Sequence, residues 1–255
     1  MPLEQYLPLQ AYAFLVIFTR LAGTVMLLPG FGEAFAPERV RLLFAVLLTI
    51  VAAPLVEPYI PPEPKNVFAL FALLAGELLV GIYLGLISRI MLLTLDTAGR
   101  FISTSIGMAN AQIFNPSIAN QASIPGLMLT TMGIMVLFAT NMHHFLILAV
   151  IDSYTLFPVG NPMPSGDAAL VIARMVGDSF RLALQLSAPF VVLSLVFFMG
   201  LGILARLMPQ LQIFFVGLPI QLAGGMFLFA ASFTGLFTLF LEYYAEGINA
   251  YIAGG

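Results

Sequence analysis

The sequence contains no cysteine, no tryptophan and one lysine, Lys65. Without cysteine there is no disulfide, no thiolate metal site and no thiol nucleophile. Charge is scarce: 8% of residues are charged, where a soluble domain carries about a quarter. Nine basic and twelve acidic side chains cannot give 255 residues a polar shell, so water is not the main solvent. That excludes a soluble enzyme and a disordered chain. The net charge of -3 excludes a nucleic-acid binder, which needs a basic face. Lys65 stands in Pro64-Lys65-Asn66, not after a glycine-rich loop, so no Walker A nucleotide site exists. There is no GxSxG and no HExxH, and no carboxylate pair lies at catalytic spacing within an apolar run. What is abundant is apolar: 61% of residues, with a mean hydropathy of +1.05. The class is a polytopic membrane protein.

Met1-Pro2-Leu3-Glu4 lacks the basic start of a secretory signal, and the apolar stretch after it is too long for one. It reads as a permanent helix. Six apolar runs qualify as spans: residues 6–28, 40–56, 66–95, 125–151, 182–204 and 213–241. The third is too long for an upright crossing and must tilt or project. Residues 168–181 read as a separate short amphipathic segment, and Pro219 with Gly224-Gly225 predicts a kink in the sixth run. Arg39, Arg41, Arg100 and Arg206 follow the first, third and fifth runs, with Arg20 and Arg89 near the same ends. Lys65, Arg174, Arg181 and most acids lie on the other side. The positive-inside rule therefore directs both termini away from the cytoplasm.

Charges within spans are costly, so each is a functional candidate. Glu77, Gly81, Gly85 and Arg89 recur every four residues along one helical face. Gly81 and Gly85 form a GxxxG that admits a close neighbouring helix. Glu77 and Arg89 are about 18 Å apart along the axis and need separate partners. The face either packs two satisfied charges or takes part in ion or polypeptide passage. Arg20 near the end of the first run is read as snorkelling or pairing with another subunit, in preference to a substrate contact. His143-His144, with Asp152 nearby, suggests a metal. Adjacent histidines, however, point to different sides of a helix, and the remaining ligands are missing. Met128, Met132 and Met135 form a stripe read as core, with a deformable lining as the alternative.

The stretch 96–123 is the least hydrophobic part near the middle. Thr104, Gly107, Met108, Asn110, Gln112, Ile113, Phe114, Asn115 and Asn120 mix amides, small residues and apolar plugs. There are too few charges for an exposed loop and too many amides for lipid. Two readings stand: an ordinary cytoplasmic loop, or a re-entrant plug across a pathway, since irregular backbone at membrane depth needs protein or a cavity around it.

Several ordered segments together resemble the FliR/SctT family of type III export-gate proteins. They are Arg20-Leu21-Ala22-Gly23, Leu28-Pro29-Gly30-Phe31-Gly32, Pro37-Glu38-Arg39-Val40-Arg41, and Glu77 with Gly81 and Gly85. Gly99, Gly107 and Asn115-Pro116 (often Asp-Pro in relatives), Asn141-Met142-His143, Ser153-Tyr154 and Pro158 continue the pattern. Ala188-Pro189, Gly202, Arg206, Pro209-Gln210, Phe214, Gly217 and Pro219 complete it. The resemblance implies an all-α fold of inclined and partly broken helices, with a FliP-like part over 1–167 and a FliQ-like hairpin over 168–255. It implies a non-enzymatic, cofactor-free subunit of the flagellar export gate in the bacterial inner membrane. Its partners would be FliP and FliQ around a central channel, with FlhB docked and FlhA nearby. The family's plug loop maps onto Thr104 to Asn120. Arg20, Arg206 and the Glu77 to Arg89 face would hold the subunit against neighbours. The rival readings are a small-solute transporter, favoured by broken helices but lacking an evident inverted repeat, and an intramembrane enzyme using His143, His144 and Asp152.

Overall fold

The computed structural model describes residues 3–33, 35–108, 123–163, 165–208 and 213–252. Every regular element among them is helical: α1 (Leu3–Val25), α2 (Glu38–Val56), a 3-10 turn (Glu57–Tyr59), α3 (Val67–Ser105), α4 (Ile124–Ala139), α5 (Met142–Leu156), α6 (Ser165–Leu207) and α7 (Ile213–Gly247), which runs into a π-helical turn (Ile248–Ile252).

Proline and glycine set the boundaries. Pro37 precedes the first residue of α2, and Pro58 lies in the 3-10 turn that closes it. Asn66 caps α3, its side-chain oxygen accepting the Phe68 amide at 3.0 Å. At the other end Gly107 takes the left-handed conformation, φ 84°, that ends a helix.

α3 and α6 extend at least ten residues beyond their apolar runs. α3 passes Leu95 and continues to Ser105. Arg100 pairs with Asp96 one turn back at 2.9 Å, and the Thr97, Thr104 and Ser105 hydroxyls bond carbonyls four residues earlier. The polar side chains are thus satisfied within the helix, while Leu95, Ala98, Gly99 and Ile102 bury an apolar stripe. The segment 168–181, expected to stand apart, is the first part of α6, one 43-residue helix with Pro189 inside it. The fourth run is instead broken. Asn141, the lone non-glycine with positive φ among the described residues, separates α4 from α5.

Among the described residues four helices are long and apolar enough to cross a membrane: α2 with its 3-10 turn, α3, α6 and α7. A fifth arises if α4 and α5 form one broken span. α1 contributes a shorter apolar stretch over Gln10–Val25. The chain is an all-α polytopic membrane protein.

The chain forms two compact units drawn from interleaved segments. One comprises Met1–Met91, Phe138–Met175 and Tyr244–Gly255. It buries Val16, Ile17, Leu21, Leu84, Ile87 and Met91, and a hydrogen bond of 2.6 Å joins the Ser88 and Tyr244 hydroxyls. The other comprises Leu92–Leu137 and Val176–Tyr243 and buries Leu92, Leu95, Leu129, Ala183, Leu186 and Phe190. In it α3 and α4 meet at glycine. A Cβ on Gly99 would overlap the Gly126 backbone, and one on Gly133 would overlap the Leu95 side chain. This orders α4 against expectation. Leu129, Gly133 and Leu137 face inward, while Met128 and Met135 are exposed. Of the methionine stripe, Met128 and Met135 are outer surface and Met132 is half-buried, because the small residues claim the close contact.

Gly99→Leu should lower the thermal stability of the purified protein by at least the ~1–3 kcal/mol of ordinary overpacking, since the obstacle is backbone. Gly76→Ala, where nothing stands within 4 Å of the added Cβ, should be neutral or stabilising. Scanning calorimetry in detergent reads both.

Candidate functional site

The stripe Glu77, Gly81, Gly85, Arg89 packs against α1 and the loop after it. Arg20 meets Glu77, Thr24 meets Gly81, and Thr24 and Leu27 meet Gly85. Both numbers rise together, so α1 and this part of α3 run parallel. The contact is backbone-close. A Cβ on Gly81 would overlap the Arg20 carbonyl, and one on Gly85 would lie 2.8 Å from the Thr24 carbonyl oxygen. From α1, a Cβ on Gly23 would sit 3.2 Å from the Leu78 carbonyl oxygen. The Thr24 hydroxyl lies 3.0 Å from both the Arg20 and the Gly81 carbonyl oxygens, a polar tie across the seam. The GxxxG is therefore used within the chain and does not face a second subunit.

Arg20 sits at the centre of this seam, 0% exposed, with Glu77 3% exposed. Its Nε donates to Glu77 Oε2 at 2.7 Å and Nη2 to the Phe157 carbonyl at 2.8 Å. Nη1 donates to Ser153 Oγ at 3.3 Å, and the Ser153 hydroxyl in turn donates to the Val150 carbonyl at 2.6 Å. The guanidinium lies 3.9 Å from the centre of the Tyr154 ring. Phe157 follows the last residue of α5, where carbonyls have no helical partner. Arg20 thus joins α1, α3 and the end of α5. The expectation that it snorkels or pairs outside the chain is corrected: a planar five-donor cation is what this pocket of acceptors requires, and none of it reaches solvent.

Arg89, on the same stripe, pairs with Glu33. Glu33 belongs to the loop between α1 and α2, which carries the Leu28-Pro29-Gly30-Phe31-Gly32 run. Gly30 is left-handed, φ 82°, and a Cβ on Gly32 would overlap the Met26 carbonyl. Phe31 stacks on Phe44 at 4.5 Å between ring centres and tilts against Phe138 at 5.5 Å. Phe138 stacks on His143 at 4.7 Å, and His143 lies 4.1 Å from His144. The histidines therefore extend an aromatic ladder that pins the loop. Among the described residues no three His, Asp or Glu side chains converge as metal ligands, and Asp152 is exposed.

Of the residues assigned to a plug, Thr104 is exposed on the last turn of α3, Gly107 ends that helix and Met108 follows it. Asn110, Gln112, Ile113, Phe114, Asn115 and Asn120 lie outside the described residues. Arg206 is exposed in the last turn of α6. Sequence reasoning missed Glu33, Ser153, Tyr154 and the Phe157 carbonyl as partners. The hints available were the place of Glu33 just after the Leu28–Gly32 motif and the Ser153-Tyr154 pair within the family pattern.

Fold and site together define a membrane-embedded helical protein whose buried polar residues organise packing. A family model described as bacterial export proteins, family 1, matches residues 11–247. The chain is 36% identical over 242 residues to the flagellar biosynthetic protein FliR of Caulobacter vibrioides, covering 95% of this chain and 96% of that one. It is 33% identical over 215 residues to FliR of Bacillus subtilis, covering 83% and 82%. It is also similar to the Yop proteins translocation protein T of Yersinia pestis, 28% identical over 169 residues and covering 66% and 64%. The chain belongs to the bacterial export proteins of family 1, the FliR/SctT family. It is a multi-pass inner-membrane protein of the flagellar export-gate family.

Arg20→Met strands the Glu77 carboxylate and should cost about 3–5 kcal/mol, whereas Arg20→Met with Glu77→Met should recover much of it. Arg100→Ala removes a cation that is 62% exposed and should stay within about 1 kcal/mol of wild type. Thermal unfolding in detergent, with folded yield as a second readout, distinguishes the three.

Proposed function

We propose that the chain is a core subunit of the flagellar type III export gate, forming with FliP and FliQ a gated conduit for unfolded flagellar subunits. The observation that carries this reading is the apolar surface of α6. Exposed large apolar side chains occur along it from Leu170 to Leu207, among them Phe180, Leu184, Val192, Val196, Met199 and Ile203, with exposed Arg174 and Arg181 interleaved in its first third. That length is about 56 Å at 1.5 Å per residue. The hydrocarbon core is about 30 Å thick. Even at a tilt of about 40°, the upper end for membrane helices, about 17 Å of this surface extends beyond lipid. Leu170 and Phe180 lie there beside charged side chains, and a protein neighbour would cover them. A lone small-solute transporter would leave them wet.

In this reading FlhB docks on the assembled gate and FlhA lies nearby. Residues 1–167 form the FliP-like part and 168–255 the FliQ-like hairpin. The basic loops face the cytoplasm and both termini face the periplasm. Arg206, a free-standing donor at the end of α6, contacts a neighbouring subunit, where a guanidinium suits carbonyls and carboxylates. The stretch Thr104 to Asn120 closes the lumen at rest, with Met108, Ile113 and Phe114 sealing and Asn110, Gln112, Asn115 and Asn120 satisfying backbone groups. Proton-motive force and a separate ATPase supply the energy.

Expressed with FliP and FliQ, the chain should co-purify in one large hetero-oligomer by native mass spectrometry. A monomer or symmetric dimer in the presence of both would reject the reading. Deleting 104–120 should leave that oligomer assembled but raise ion conductance across the inner membrane. Met108→Ala should leak less than the deletion, because closure is shared among several side chains.

A further inference from the structure

Within the unit formed by Leu92–Leu137 and Val176–Tyr243, a cavity of about 200 Å³ lies between α6, α7 and the end of α3. Phe190, Leu193 and Phe197 wall it from α6, and Ile220, Gln221 and Gly224 from α7. Phe190 is 0% exposed and Gln221 6% exposed, so the inner wall is packed. The two neighbouring glycines of α7 differ. A Cβ on Gly225 would overlap the Ile106 side chain, whereas nothing stands within 4 Å of one on Gly224. One glycine serves packing and the other leaves space. An apolar cavity of about 150 Å³ stays dry and holds benzene, so this one has room for a single aromatic ring with a small substituent.

The polar groups of the lining choose the substituent. Gln221 Nε2 donates to the Ser105 carbonyl oxygen at 2.6 Å. The Ser105 hydroxyl donates to the Phe101 carbonyl at 2.8 Å and the Ser194 hydroxyl to the Val191 carbonyl at 2.9 Å. Gln221 Oε1, by contrast, is buried and has no hydrogen-bond partner among the described residues. A buried amide oxygen left unpaired costs stability, so leucine would fill the position more cheaply. This orphan oxygen accepts and does not donate, so it calls for an O–H or N–H. No lining side chain is charged, which selects a neutral molecule.

We propose that this cavity is a binding site for a small neutral aromatic alcohol, its ring held among Phe190, Phe197 and Ile220 and its hydroxyl donating to Gln221 Oε1. The last torsion of a glutamine side chain is soft, so the amide oxygen turns to a bound donor while Nε2 keeps Ser105. The ligand touches α6, α7 and the end of α3 together, so binding stabilises this unit by mass action. The site lies within one chain and requires no other subunit.

The test uses the full-length chain in lipid nanodiscs, titrated by fluorine NMR with para-fluorophenol, para-fluorotoluene and para-fluoroanisole. Empty nanodiscs give the partition baseline. On the wild type, para-fluorophenol should bind above that baseline and more tightly than para-fluoroanisole, which carries an oxygen but no donor. Gln221→Leu should weaken para-fluorophenol about tenfold, the loss of one hydrogen bond, and leave para-fluorotoluene unchanged. Gly224→Leu fills the open space and should abolish binding of both with folded yield intact. The melting temperature of the wild type should rise with para-fluorophenol, and that of Gly224→Leu should not. Wild-type signals that match empty nanodiscs overturn the proposal, as does para-fluorophenol binding that survives in Gly224→Leu. Equal loss of para-fluorophenol and para-fluorotoluene in Gln221→Leu also overturns it, because the amide then supports shape alone. If either variant does not fold, the wild-type comparison of para-fluorophenol with para-fluoroanisole decides, and equal affinities reject the site.

Discussion

An arginine deep in a membrane protein constrains everything near it, because no lipid or apolar side chain will accept five N–H donors. Arg20 is satisfied by one carboxylate, one hydroxyl, one carbonyl and the face of one ring. These come from α3, from α5 and from the residue that ends α5. A purely apolar seam would allow α1 to slide along α3 by a turn at modest cost. Here a one-turn slip would separate Arg20 from Glu77 and leave both charges buried and unpaired. The glycines make the same demand sterically: Gly81 and Gly85 admit the α1 backbone only in this register. Charge and size therefore specify one arrangement twice.

The sequence makes the stripe legible but not its partners. Glu77, Gly81, Gly85 and Arg89 announce themselves through local periodicity. Nothing local says that Arg20, 57 positions earlier, lies opposite. Its closeness to the end of an apolar run favours an outward reading, whereas Glu77, Ser153 and the Phe157 carbonyl meet it inside the chain. The end of α3 was missed for a related reason. Asp96 and Arg100 look like an interface in a hydropathy profile, yet they neutralise each other on one exposed face while the opposite face stays apolar. The methionines of α4 show the deeper difficulty. In water, large apolar residues mark the interior. In a membrane or under partner subunits, the outer surface is just as apolar, and small residues mark the close contacts. Gly126 and Gly133 were the informative positions, and Met128 and Met135 were not.

The two ends of the molecule's chemistry follow from the same economy of charge. Inside, a few polar groups tie elements together: the Arg20 centre, the part-buried Arg89–Glu33 pair, the Ser88–Tyr244 bond and the Gln221 amide. Outside, α6 presents apolar side chains over a length that lipid alone does not match. The proposed assembly with other subunits would cover that surface.

The central claim is that other subunits cover α6 beyond the lipid. The chain has no cysteine, so single cysteines at Phe180, Leu184, Val192, Val196, Met199 and Ile203 can be labelled without background. A membrane-impermeant maleimide is applied to everted and right-side-out vesicles, with and without FliP and FliQ. The account predicts that, without partners, labelling appears at one or both ends of this series, and that it is lost when FliP and FliQ are present. Equal labelling in the two conditions would contradict it.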